Sequence, residues 1–178
     1  SLKQKSEIEA TTQTFFPNIV MWSNYTYVFQ VFDFSNYMWN TIVVAIFSTA
    51  GTLITTVFAA FAFARLNFKG RDTLFMVFLM TMMIPGEMMV ISNYITVASF
   101  GWIKDQSLTE AYLAMIVPFL VSVFHIYLLR QNFKQIPNEL YLAAKVDGKS
   151  DWSYLWKVMV PLAAPTLISI TILKFMGT

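Results

Sequence analysis

One carboxylate stands inside an apolar stretch. Glu87 follows Pro85-Gly86 within Met82-Met83-Ile84-Pro85-Gly86-Glu87-Met88-Met89. A charge at membrane depth is costly unless it lines a pathway or finds a partner, and a helix broken at Pro-Gly leaves backbone groups that must face protein or a water-filled cavity. Glu87 is therefore a candidate contact for a solute in passage. The other reading is that an outer half-helix starts there and Glu87 favours its positive end. Asn93 and Tyr94, one to two turns further on, offer hydrogen bonds to solute hydroxyls on the same wall.

Other chemistries are poorly supplied. With no cysteine there is no disulfide framework, cysteine-ligated zinc, iron–sulfur cluster or thiol nucleophile. The single histidine, His125, has no acidic partner at helical spacing in its apolar segment, so it reads as a helix–helix contact rather than a proton relay. The eleven methionines, among them Met76, Met80, Met82, Met83 and Met88, suit flexible packing better than a soft-metal route. No nucleophile–base pair, phosphate-binding glycine loop or His-Glu metal motif appears, so we assign no catalytic residue, no metal site and no cofactor to this chain. A net charge of +2 does not argue for nucleic acid.

The elements that carry these residues belong in lipid. Of 178 residues, 57% are hydrophobic and 12% charged, too few charges to solvate a globular domain of this length. Residues 41–64 hold no charge and as a helix would extend roughly 36 Å, one crossing with tilt. Residues 73–98 read as one crossing broken at 85–86, residues 111–129 as a third, and residues 158–178 as a fourth that the sequence does not complete. Gly51, with Ala45, Ser48 and Ala50, gives the first span a small-residue face for helix packing. Lys174 lies in the last span with no nameable partner. The expected fold is an all-α, polytopic transmembrane bundle over residues 38–178, preceded by an extracytoplasmic, aromatic-rich segment over residues 1–37. Beginning at Ser1 and stopping inside an apolar run, the sequence reads as a fragment with no signal peptide in view. Arg65, Lys69 and Arg71 after the first span, and Arg130, Lys134, Lys145, Lys149 and Lys157 after the third, put those connections in the cytoplasm; Lys3, Lys5 and Lys104 fall on the other side.

The connection 131–157 is far longer than adjacent membrane helices require, and it has helical signals of its own. Pro137 suits a first turn, Glu139 the positive end, and Leu140, Ala143 and Ala144 share one face. Gly148 sits where a left-handed C-terminal cap belongs, and Ser150 or Asp151 can cap a second helix running toward Pro161. The unit is a cytoplasmic helix–turn–helix with two alanines on an exposed ridge, open to another backbone.

Here the residues carry a resemblance. Leu142-Ala143-Ala144, three residues, Gly148, nine residues and Val158-Met159-Val160-Pro161 resemble in spacing the EAA loop of bacterial ABC importer permeases, Glu-Ala-Ala, three, Gly, nine, Ile-x-Leu-Pro. Ile136-Pro137-Asn138-Glu139-Leu140 and Asp147-Gly148 are similar to the carbohydrate-uptake branch of that family. So are Asn24-Tyr25, Asn40-Thr41, Ala62-Phe63-Ala64-Arg65, Phe68-Lys69-Gly70-Arg71 and Met82-Met83-Ile84-Pro85, in that order. The resemblance covers nearly the whole chain. It implies a subunit without enzyme activity of its own that moves carbohydrate across the cell membrane by alternating access. The implied coupling residues are Leu142, Ala143, Ala144, Asp147, Gly148, Val158, Val160 and Pro161. The implied partners are a second permease subunit, a cytoplasmic ATPase dimer carrying the ATP and magnesium, and an extracellular solute-binding protein. The family glutamate is Leu142 here, which removes one ion pair with the ATPase, worth at most about 1 kcal/mol at a surface. Relative to the family pattern, the first membrane helix and the C-terminal end are missing. Two alternatives share the features: a permease of the same kind for another solute, and an ion-coupled secondary transporter with a broken helix around Glu87.

Overall fold

A computed structural model describes residues 2–9, 15–103 and 107–178. Among these residues all regular structure is helical. The chain divides into two compact units, Ser1–Ile42 and Val43–Thr178.

In the first unit, α1 (Lys5–Ile8) and α2 (Ser23–Val31) are tied by Met21 N–H donating to Leu2 O at 3.0 Å and Asn24 Nδ2 to Lys3 O at 3.1 Å. The aromatic side chains expected to lie on a membrane surface are largely exposed, Phe15, Phe16, Trp22, Tyr27 and Phe29 among them. The loop containing Lys104 lies outside the described residues.

Helix α3 (Phe34–Arg65) starts where Asp33 Oδ1 accepts the Asn36 N–H, an N-cap. Its 32 residues make it the one described helix that is by itself long and apolar enough to cross a membrane. It begins seven residues before the charge-free run at Thr41 and continues to Arg65. Three further spans form only if each is built from two bent pieces. The first of these joins α4 (Arg71–Met80) and a 3-10 turn at Thr81–Met83 to a 3-10 turn at Gly86–Met89 and α5 (Val90–Ser99), at 89°. Ile84 and Pro85 are extended at the break, as the Pro-Gly pair leads one to expect.

The other two pairs are bent where the span bounds read from the sequence hold no break. Residues 111–129 fall across α6 (Leu108–Ile116), a 3-10 turn at Val117–Phe119 and α7 (Val123–Gln135), bent by 51°. Pro118 removes a donor, and Ser122 caps the new helix by accepting the His125 N–H. The last span begins before residue 158, with α9 (Asp151–Tyr154), a π-helical stretch at Leu155–Met159 and α10 (Val160–Leu162); it then turns by 77° into α11 (Ala164–Met176), whose second residue is Pro165. Between α7 and α9 lies α8 (Asn138–Val146).

A bend at membrane depth leaves carbonyls that must be paired within the protein. Helix α3 supplies the donors. Thr52 Oγ1 donates to Phe119 O at 3.1 Å, and Thr55 Oγ1 lies 2.6 Å from Leu120 O. Gly51 leaves room for the Leu120 side chain at this bend: a Cβ there would stand 2.3 Å from Leu120 Cδ2. Ala45, Ser48, Thr52, Thr56 and Ala60 form one buried stripe at three- and four-residue spacing. Of the small-residue face read from the sequence, Ala50 is exposed instead.

The larger core joins Val57, Ala60 and Phe61 of α3 to Leu129 and Phe133 of α7, then to Tyr154, Leu155, Met159, Ala163 and Ile170. A second cluster joins Phe63, Phe75 and Ile126, from α3, α4 and α7. Lipid tails are as apolar as leucine, so close packing and paired polar groups, rather than escape from water, hold such clusters together. His125 is buried at the α7 end of this region beside the Phe124 ring, with Nδ1 unpaired among the described residues.

Candidate functional site

The connection after α7 is built from the residues upward. Ile136 is extended, and Pro137 occupies the N-cap of α8, one residue earlier than the first turn read from the sequence. Helix α8 ends in a Schellman motif: Lys149 N–H donates to Ala144 O at 2.9 Å, Gly148 N–H to Lys145 O at 3.0 Å, and Gly148 takes φ +71°. Ser150 then caps α9, its Oγ accepting the Ser153 N–H at 3.2 Å.

Polar contacts close the unit across the turn. Asp151 Oδ1 accepts from the Tyr141 hydroxyl at 2.7 Å and pairs with Lys145 Nζ at 2.7 Å. Tyr141 meets Tyr154 edge to face at 5.1 Å. Burial, then the hydrogen bond to Asp151, pushes the Tyr141 hydroxyl above its ordinary pKa; the hydrogen bond to Asp151 raises the Lys145 ammonium. Both stay protonated at neutral pH, and the two helices remain pinned.

The expected apolar face of α8 divides. Tyr141 and Ala144 pack against the larger core, whereas Leu140, Leu142, Ala143, Asp147 and Gly148 are exposed, Leu142 by 56%. Ala144 is thus part of the fastening, and Ala143 is the alanine on the open ridge. A cavity of about 230 Å³ lies between the arms, lined by Leu140, Ala143, Ala144, Asp147, Tyr154 and Val158. Val158 and Val160 are half-buried against the same core, and Pro161 is exposed in α10.

The second group of candidates is only partly assembled. Asn93 and Tyr94 line a cavity of about 300 Å³ with Gly86, Val97, Pro118 and Phe119. Glu87 is exposed in the 3-10 turn and is not among the residues lining that cavity. Lys174 lines a different space, of about 340 Å³, with Ser48, Ala114 and Phe119.

Two arginines at the base of the loop were read from the sequence as markers of the cytoplasmic side, and Arg65 also as part of a family-like stretch, but neither as a contact. Arg65, at the end of α3, donates to Phe133 O at 3.0 Å, to Ile136 O and to Asn138 Oδ1 at 3.4 Å. Arg130, on α7, is buried; its Nε donates to Phe63 O at 3.2 Å, and its guanidinium lies 3.8 Å from the centre of the Phe75 ring. No local pattern points to these contacts, because the partners lie 55 to 73 residues away. The positional cue was an arginine directly ending each apolar run.

This loop and bundle have relatives. Residues 53–178 match the family described as binding-protein-dependent transport system inner membrane component. The chain is 28% identical over 177 residues to Protein LplC of Bacillus subtilis (strain 168), covering 99% of this chain and 57% of that protein. It is 31% identical over 179 residues to the sulfoquinovosyl glycerol transport system permease protein SmoH of Agrobacterium fabrum, covering 99% and 61%. To the lactose transport system permease protein LacG of Rhizobium radiobacter it is 29% identical, covering 88% and 55%. The chain thus spans less than two thirds of the length of these curated relatives. A chain in the crystal structure of a bacterial ABC transporter involved in the import of the acidic polysaccharide alginate superposes with a TM-score of 0.76 at 25% identity, covering 99% of this chain and 60% of that one. With the spacing of the loop, the all-helical architecture and a match running from α3 to Thr178, this chain is a membrane protein that belongs to the family of binding-protein-dependent transport system inner membrane components.

Proposed function

We propose that the chain is the permease subunit of an ATP-driven carbohydrate importer of the inner cell membrane, crossing it several times. The reading rests on one observation above all: a helix–turn–helix fastened by Tyr141 and Ala144 yet offering Leu142, Ala143 and Asp147 outward. A small-residue ridge on a rigid base is what a partner needs if it is to push rather than slide. In this reading a cytoplasmic ATPase dimer holds ATP and magnesium, its closure displaces α8, and the bundle opens toward a solute-binding protein. A second permease completes the pathway, with Asn93 and Tyr94 facing the solute. The names of LacG and SmoH support a sugar or sugar derivative as that solute.

The test purifies the full-length permease in nanodiscs with its ATPase and compares the native loop with Ala143→Lys. We expect stable capture by the native protein and at least a tenfold loss in the variant, with unchanged thermal stability because Ala143 is exposed. Equal capture by both proteins would rule out this ridge as the dock. Uptake driven by an ion gradient without ATP would favour the secondary-transporter reading instead.

A further inference from the structure

Two arginines cross between α3 and α7 in opposite directions. Arg65 reaches from the end of α3 to the last turn of α7, to Ile136 and to Asn138, the first residue of α8. Arg130 reaches back from α7 to the Phe63 carbonyl of α3, and on to α4, with Nη2 3.5 Å from Asp72 Oδ1 and Cζ 3.8 Å from the centre of the Phe75 ring. Each guanidinium therefore spans at least two elements, and the pair connects the base of α8 to both α3 and α4.

We infer that Arg65 and Arg130 act as a crossed latch that carries displacement of α8 into α3 and α4, and so to the break at Ile84-Pro85. The inference rests on the proposed function and adds where the stroke goes. The geometry supports transmission rather than simple cohesion. Arg65 holds two carbonyls and the Asn138 side chain at once, which resists both sliding and rotation, and Arg130 adds one directed bond to Phe63 O, whereas apolar contacts such as Phe63 against Phe75 carry no such direction. Helix α4 itself is the inner half of a span bent by 89°, so movement there changes the geometry of the Asn93–Tyr94 side of the break. The arginines are positioning residues; neither touches solute in this reading.

These 178 residues hold no cysteine, and any cysteine elsewhere in the full-length permease or its ATPase is first replaced by serine. In the full-length permease–ATPase complex in nanodiscs, Met83→Cys, beside the break, and Val146→Cys, on α8, are labelled separately with a soluble maleimide. Labelling is done without nucleotide and with ATP plus orthovanadate. Both positions are more than four-fifths exposed. With the native arginines, Met83→Cys labelling should change several-fold on trapping, while Val146→Cys stays protected by the ATPase. Arg65→Lys and Arg130→Lys keep the charge but lose the forked or stacked geometry. They should abolish the Met83→Cys response while ATP hydrolysis and Val146→Cys protection persist. Asp72→Asn and Asn138→Ala, milder changes at exposed partners, should reduce the response by about half.

A full Met83→Cys response in both lysine variants would overturn the latch. So would loss of Val146→Cys protection in all four variants, which would assign the arginines to folding of the dock alone. No response to nucleotide even with native arginines would sink the proposed function itself.

Discussion

A side chain added at position 148 would meet no atom within 4 Å, so Gly148 contributes its backbone conformation alone. At φ +71°, Gly148→Ala should lower stability by about 1 kcal/mol, and Gly148→Asn by less, since asparagine tolerates left-handed geometry. Thermal unfolding of the detergent-solubilised permease would show the order glycine, asparagine, alanine; equal midpoints would mean that the turn is not fixed. This residue was legible because a C-cap is decided within six residues of sequence. So were Ser150 as the following cap and Pro85-Gly86 as a break. The Arg65 and Arg130 contacts were not: which carbonyl a long cation reaches depends on two helices brought together by the rest of the fold. For the same reason Ala143 and Ala144 looked alike in sequence, though the structure turns Ala144 toward the core.

Among the elements, α3 is unbroken while its three neighbours bend. Gly51 packs directly beneath the Leu120 side chain at one of these bends. Gly51→Ala should destabilise by about 1 to 3 kcal/mol through overpacking, and Leu120→Ala in the same molecule should recover part of that loss. Strict additivity of the two substitutions in a thermal-shift measurement would contradict the contact. The bends at Phe119 and Ala163 escaped the sequence reading because proline in a membrane helix permits either continuation or a break, and the choice depends on whether another helix can satisfy the freed carbonyls. At the first of these bends Thr52 and Thr55, more than 60 residues earlier, satisfy Phe119 O and Leu120 O.

For the whole molecule, membrane character was legible in composition and apolar run length, and the family in loop spacing; of the expected spans, α3 is the one described helix long and apolar enough to cross by itself. The basic residues predict an orientation that can be tested. A cysteine placed at Asn67 should react with an impermeant maleimide only after the inner membrane is opened, and Ser107→Cys should react from the outer side of intact membranes. The opposite pattern would invert the bundle. Large exposed residues such as Met83, Ile91 and Ile95 need lipid or a second subunit around them, which an isolated chain in water does not supply.

Because α3 alone is continuous, it holds the threonine clasp at Thr52 and Thr55 and the arginine crossing at Phe63 and Arg65 in one fixed phase. Deleting or inserting a single residue between Thr55 and Phe63 would turn one set past the other by about 100°. Neither set could then be satisfied without breaking its partner. Length variation in this protein should therefore be confined to its connections, while the interval from Thr55 to Phe63 behaves as a ruler that tolerates changes of residue type but not of residue number.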